Sequence, residues 1–201
     1  AASGELPPLV VRSHGGPTGR ASPALNLQVQ FWTSRGFAVV DVETSGLSVR
    51  RHRLLQVGVV VIDGDGRVLD RWGSLVAPRR RWWYRVGPTR LHGIHRRDVV
   101  GAPPAEQVLG ELAVRIDGAH VVAHNAEFDI AFLARAAAEA GIALDLSGPI
   151  CTLRLSRALD PERRLSHRLG DMCARYDVQV SRPHDALSDA EVARLKVAQE
   201  D

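Results

Sequence analysis

Phe37-Ala-Val-Val-Asp-Val-Glu-Thr-Ser-Gly-Leu47 carries four apolar residues into two acids and then into a Ser-Gly turn signal. This order predicts a buried strand that ends in carboxylates. Side chains alternate along a strand, so Asp41 and Glu43 share a face at its end. Two like charges so close repel, and hard divalent cations such as Mg²⁺ or Mn²⁺, which prefer oxygen ligands, would hold them together. Taken alone, the same residues also suit an ordinary solvated strand end.

Working outward, two further stretches carry acids. His124-Asn125-Ala126-Glu127-Phe128-Asp129 follows an apolar strand at 120–124 and opens a helix predicted over 126–140, with Asn125 as its natural N-cap. Asp129 falls in the first turns of that helix, where the dipole favours a carboxylate with or without metal. Phe128, Ile130, Phe132 and Leu133 are spaced for packing into a core. The third stretch, Pro183-His184-Asp185-Ala186-Leu187-Ser188-Asp189, leads into a helix predicted over 186–198. His184 stands just before it, and an imidazole there titrates near neutral pH and can take a proton from a water within reach. Each stretch has an ordinary structural explanation; their coincidence in one chain is what points to chemistry.

The set Asp41-x-Glu43-Thr44-x-Gly46-Leu47, His124-Asn125-Ala126-x-Phe128-Asp129 and His184-x-Ala186-x-x-Asp189-Ala190, in that order, resembles the DEDDh exonucleases, the group containing the proofreading epsilon subunit of bacterial replicative DNA polymerase. The resemblance runs from about residue 36 to 197 and includes Leu91-His92-Gly93-Ile94 between the first two motifs. A sister group has Tyr four residues before the last Asp; position 185 is Asp here, which favours the His type.

The resemblance implies a ribonuclease H-like α/β fold, a mixed sheet flanked by helices. It implies that Asp41, Glu43, Asp129 and Asp189 hold two divalent cations, Mg²⁺ or Mn²⁺. One ion would activate a water and the other would stabilise the departing 3′ oxygen, with His184 as general base. Thr44, Ser45, Gly46 and Leu47, with His124, Asn125 and Phe128, would receive the terminal nucleotide. Ser45 stands where the family often has a second Thr and keeps a hydroxyl. The expected activity is 3′–5′ removal of nucleotides from single-stranded or frayed DNA, in proofreading or repair. An RNA-trimming exonuclease and a catalytically silent nucleic-acid-binding module are the alternatives. The intact set of five residues speaks against the silent module. A DNA polymerase or a sliding clamp is the candidate protein partner.

Composition is compatible with this. A chain of 201 residues with 45% hydrophobic content suits one globular domain with a sizeable core. No apolar run approaches the roughly 20 residues needed to span a bilayer, and no secretory signal pattern opens the chain, so a cytoplasmic location without membrane association is expected. The net charge is only +3, but Lys196 is the sole lysine among 26 basic Lys and Arg residues. Arginine suits phosphate through bidentate hydrogen bonds. Cys151 and Cys173 make neither a metal-ligand pair nor a disulfide framework and are expected as small core residues.

Residues 1–23, rich in Gly, Pro, Ser and Ala, are expected to be mobile, ahead of an exonuclease domain over 24–201. Residues 25–35 suit either a short helix or an added strand. Strands are predicted at 54–63 and 67–76 about a Gly64-Asp65-Gly66 turn, forming antiparallel hairpins with the first strand. Helices at 105–116, 152–159 and 165–176 and a short strand near 149–150 continue the alternation into a mixed sheet with helices. His92, His95, His120 and His124 lack the compact spacing of a zinc site. Arg79-Arg-Arg-Trp-Trp-Tyr-Arg85 mixes cations with aromatics, as single-strand binding surfaces do, and equally suits a basic loop whose aromatics pack on the sheet.

Overall fold

The computed structural model describes residues 36–64, 67–78, 85–175, 186 and 190. Its strands are β1 (Phe37–Thr44), β2 (Leu54–Ile62), β3 (Val68–Leu75), β4 (His120–Ala123) and β5 (Ile150–Cys151). They form one sheet in the order β3-β2-β1-β4-β5. β1, β2 and β3 pair antiparallel, whereas β4 joins β1, and β5 joins β4, in parallel. The predicted hairpins and mixed sheet are therefore present, with strand ends within one or two residues of expectation.

β1 lies at the centre because it is apolar on both faces until its acids begin. Ala38, Val40 and Val42 point to one side, where Val57 and Val59 of β2 join them. That layer is covered by α3 (Ala105–Ile116) through Leu109, Leu112 and Ile116, and by α4 (Ala126–Ala140) through Phe132 and Leu133. Val39 points to the other side, into a smaller cluster with Val60, Ile62, Val122 and Ala190. The remaining helices are α1 (Thr89–His92), α2 (Arg96–Val100), α5 (Thr152–Leu159) and α6 (Leu169–Arg175).

Three local features depart from the sequence expectation. α1 and α2 are too short to leave a periodic signal; Gly93, at φ 69°, closes the first, and a reciprocal cap between His95 and Asp98 opens the second. The helix expected over 165–176 begins only at Leu169, because the preceding residues are tied into a loop by Asp160, whose carboxylate accepts from the amides of Arg164 and Leu165. Cys151 is half-buried at the edge of the main core rather than fully inside it. The expectations for residues 1–35, for Asp65 and Gly66, for the Cys173 side chain and for most of the 186–198 helix lie outside the described residues. Among the described residues no helix is long and apolar enough to cross a membrane.

Ala190 is fully buried against four branched side chains of the sheet. Ala190→Leu forces three extra carbons into that contact, and overpacking of this kind costs about 1–3 kcal/mol. The expected outcome in thermal denaturation is a melting temperature several degrees lower, while Ala190→Ser, close in volume, loses less.

Candidate active site

Strand register places the first pair of acids. Asp41 lies opposite Gly58 and Glu43 opposite Gln56, so all four positions share the face of Val39 and Val60. Gly58 offers no side chain, which leaves room beside Asp41. Gln56 is occupied: its Oε1 accepts a hydrogen bond from the Ala186 amide at 3.3 Å. Ala186, beside Gln56, and Ala190, in the cluster of Val39 and Val60, are both fully buried on the face that carries Asp41 and Glu43.

The second motif reaches the same strand end from α4. β1 and β4 pair from Phe37 and His120 as far as Val39 and Val122, so β1 extends past the end of β4. The Val42 amide, between the two acids, donates instead to Asp129 Oδ1 at 3.1 Å. Asp129 is 3% exposed. Burial pushes its carboxyl up to about 7, against the opposing pull of the Val42 amide. Asn125 occupies the expected N-cap position but makes no side-chain cap bond; it adopts a left-handed conformation, φ 66° and ψ 48°, that Asn tolerates better than most residues. The sharp turn this produces sends α4 back across the sheet. His124, just before it, hydrogen-bonds Thr152 Oγ1 through Nδ1 at 3.0 Å, joining β4 to the start of α5.

The turn after β1 is held from two sides. Thr44 and Ser45 are buried, and the Ser45 hydroxyl accepts from the Arg53 amide at 2.9 Å, so the hydroxyl retained at this position fixes the turn. Gly46 has φ 152°, and a Cβ there would meet the ring of His52, itself an acceptor for the Ser48 amide through Nδ1. Gly87 has φ 76° and packs directly on the Ser45 carbonyl, leaving no space for a Cβ. Leu47 projects outward, 84% exposed. His92 supports this arrangement from beneath. Its Nδ1 accepts from the Ile94 amide at 3.1 Å, which makes Nε2 the protonated nitrogen that donates to the Val86 carbonyl at 3.0 Å.

The described structure thus brings Asp41, Glu43 and Asp129 to one strand end, flanked by Thr44–Leu47 and by His124, Asn125 and half-buried Phe128, whose ring sits 4.9 Å from that of Phe132. Among the described residues no group of three or more His, Cys, Asp and Glu is gathered closely enough to hold a metal ion. The donor set is nonetheless all carboxylate oxygen, the chemistry that Mg²⁺ and Mn²⁺ prefer. His184, Asp189 and residues 79–84 of the Arg-Trp segment lie outside the described residues. The histidines weighed for zinc do structural work: His95 caps α2, His120 packs on Phe37, and His92 and His124 hold the bonds above. Gln56 and Gly87 escaped the sequence reading. Gln56 is the one amide side chain within an otherwise apolar strand, and that interruption was the available signal.

A folded-state pKa raised above the unfolded value means that the ionised carboxylate costs stability, and the cost grows as pH rises from 3.8 through about 7. Asp129→Asn keeps an acceptor for the Val42 amide and removes the charge. In metal-free buffer at pH above about 7 this variant should melt at a higher temperature than the parent, reflecting a stability gain on the order of a few kcal/mol, and the two should converge near pH 3.8.

A profile of the RNase_T family, described as exonuclease, matches residues 38–195. The chain is 34% identical over 155 residues to the DNA polymerase III PolC-type protein of Halalkalibacterium halodurans, an alignment covering 77% of this chain and 10% of that protein. It is 32% identical over 160 residues to the 3′-5′ exonuclease DinG of Bacillus subtilis, covering 79% of this chain and 17% of the other. The chain therefore spans less than a fifth of the length of these relatives. In fold it superposes on E. coli exonuclease I bound to a dT13 oligonucleotide with a TM-score of 0.71 at 14% identity, covering 82% of this chain and 40% of that one. A zinc-bound exonuclease I complex with single-stranded DNA gives 0.70 at 15% identity, covering 81% and 39%.

Proposed function

Because the chain belongs to the RNase_T exonuclease family, we propose that it removes nucleotides stepwise from the 3′ ends of single-stranded or frayed DNA, in proofreading or repair. Exonucleases of this family depend on divalent metal. The observation that carries the proposal for this chain is the bond from the Val42 amide to Asp129, which ties the second acidic motif between the two acids of the first.

Asp41, Glu43, Asp129 and Asp189 are the residues we assign to hold two Mg²⁺ or Mn²⁺ ions. The chemistry such ions supply when bound is a water acidic enough to attack phosphorus and compensation for charge on the departing 3′ oxygen. Anchoring of Ala186 and Ala190 on the Asp41 face supports the assignment of Asp189. His184 takes the proton of the attacking water. Leu47, too exposed to serve the core, is assigned to pack against the terminal base, with Thr44, Ser45 and Gly46 shaping the entry. His124, Asn125 and Phe128 border it on the α4 side.

The PolC-type relatives carry this domain inside much longer polymerase proteins, which supports a partnership with a polymerase; a sliding clamp is the further partner we assign. The working compartment we assign is the cytoplasm.

With Mn²⁺ present, 5′-labelled single-stranded DNA should yield a ladder shortened from its unlabelled 3′ end, and RNA of the same sequence a slower one. Equal or faster RNA trimming would transfer the substrate assignment to RNA. Asp41→Asn, Glu43→Gln, Asp129→Asn and Asp189→Asn should each reduce cleavage to background while remaining folded; wild-type turnover in Asp129→Asn would sink the metal assignment. His184→Ala should lower kcat by roughly 10²–10⁴ with DNA affinity nearly unchanged, because a general base acts in the transition state.

A further inference from the structure

Beside His124, between α5 and α6, an open groove of about 500 Å³ is lined by Leu153, Arg157, Arg163, Arg168 and Leu169. None of these five enters the chemistry assigned above. The three arginines are exposed and form no ion pair among the described residues, whereas their neighbours Arg154 and Arg164 pair with Glu127 and Glu162. Three guanidinium groups around one groove repel unless an anion joins them, and the planar fork of each matches a phosphate.

Arg157 stands on α5, and the loop that presents Arg163 and Arg168 is built rather than slack. Asp160 accepts from the amides of Arg164 and Leu165 at 3.2 and 2.9 Å, and its carbonyl accepts from the Arg163 amide at 3.0 Å. His167 is pinned by a 2.9 Å bond between Nδ1 and buried Ser156 Oγ, and its Nε2 lies 3.3 Å from Asp160 Oδ2, near enough for charge pairing though off-line for a hydrogen bond. Within this frame Arg163 is left-handed, at φ 53°. That conformation costs a residue with a Cβ roughly 1–2 kcal/mol, and glycine would avoid it. The loop therefore keeps a guanidinium at a position where its backbone favours no side chain.

We propose that this groove binds the sugar–phosphate backbone of the incoming single strand, a short distance upstream of its 3′ end. The proposal rests on the exonuclease reading, which places that end at Asp41. His124 makes the two regions continuous, since it lines the groove, bonds the start of α5 and directly precedes the turn into α4 that carries Asp129. Leu153 and Leu169 give the groove apolar surface for sugars and bases, and the arginines take the phosphates. A groove of this kind contributes to holding a strand, not to breaking a bond, so its effect belongs in KM and in substrate length.

The test compares the parent with Arg157→Gln/Arg168→Gln and with Arg163→Gly, which removes the guanidinium and relieves the backbone. Binding of a fluorescein-labelled oligothymidylate is followed by anisotropy in EDTA over a range of salt, and turnover of the p-nitrophenyl ester of thymidine 5′-monophosphate, which has no upstream phosphate, is followed with Mn²⁺. Both variants should bind the oligonucleotide about tenfold or more weakly, with a salt slope reduced by roughly 0.7 per lost phosphate contact, and should hydrolyse the ester at the parental rate. Parental affinity and slope in both variants would overturn the groove assignment, as would an equal loss on oligonucleotide and ester. Failure of the parent itself to hydrolyse either substrate would count against the exonuclease reading instead, because the binding comparison does not depend on turnover.

Discussion

The bond between the Val42 amide and the Asp129 carboxylate is the constraint on which the site depends. β1 continues beyond the end of β4, and a buried amide without a partner there would cost about 1–3 kcal/mol. Asp129 meets that need from the first turns of α4. The bond sets the distance between helix and strand, and it delivers a third carboxylate to a place where Asp41 and Glu43 already share a face. The apolar contacts of Phe132 and Leu133 press α4 onto the sheet, and the left-handed turn at Asn125 aims its first turn at the strand end.

Such a concentration of acids is unfavourable in the protein alone. Burial raises the Asp129 carboxyl to about 7, so near neutral pH the group is poised between its two forms. The frame tolerates this because its stability comes from elsewhere, chiefly from the valines of β1 and β2 closed between two apolar layers. A rigid sheet of this kind can carry the electrostatic cost of a buried acid, because the apolar layers on its two faces supply the stability.

Around the acids, backbone geometry does the shaping. The turn at Ser45 and Gly46 is closed by the Arg53 amide on one side and by Gly87 on the other, while His92 secures the segment that brings Gly87 there. On the α5 side the loop from Asp160 to His167 is tied in the same way, by polar bonds from Asp160 to the Leu165 amide and between His167 and Ser156. Polar groups satisfied in this way specify one geometry more sharply than apolar contacts alone.

Local patterning alone determined the strands β1 to β4, the hairpins among β1, β2 and β3, and helices α3 and α4, because alternation and long helical periods are written in consecutive residues. Asp41 and Glu43 were legible as a same-face pair for the same reason. Tertiary structure decided the rest. Asp129 could be placed in the first turns of a helix, but not against Val42, since that contact joins residues 87 positions apart. Asn125 read as a side-chain cap and serves instead through a left-handed backbone, a choice imposed by the angle at which α4 must leave β4. The helix expected from residue 165 was shortened because Asp160 and His167 claim the preceding residues through polar contacts that no periodicity records. Gln56, Gly87 and the grouping of Arg157, Arg163 and Arg168 acquire meaning only when strands and loops distant in sequence are brought together, because register and loop packing are properties of the assembled sheet rather than of any one segment.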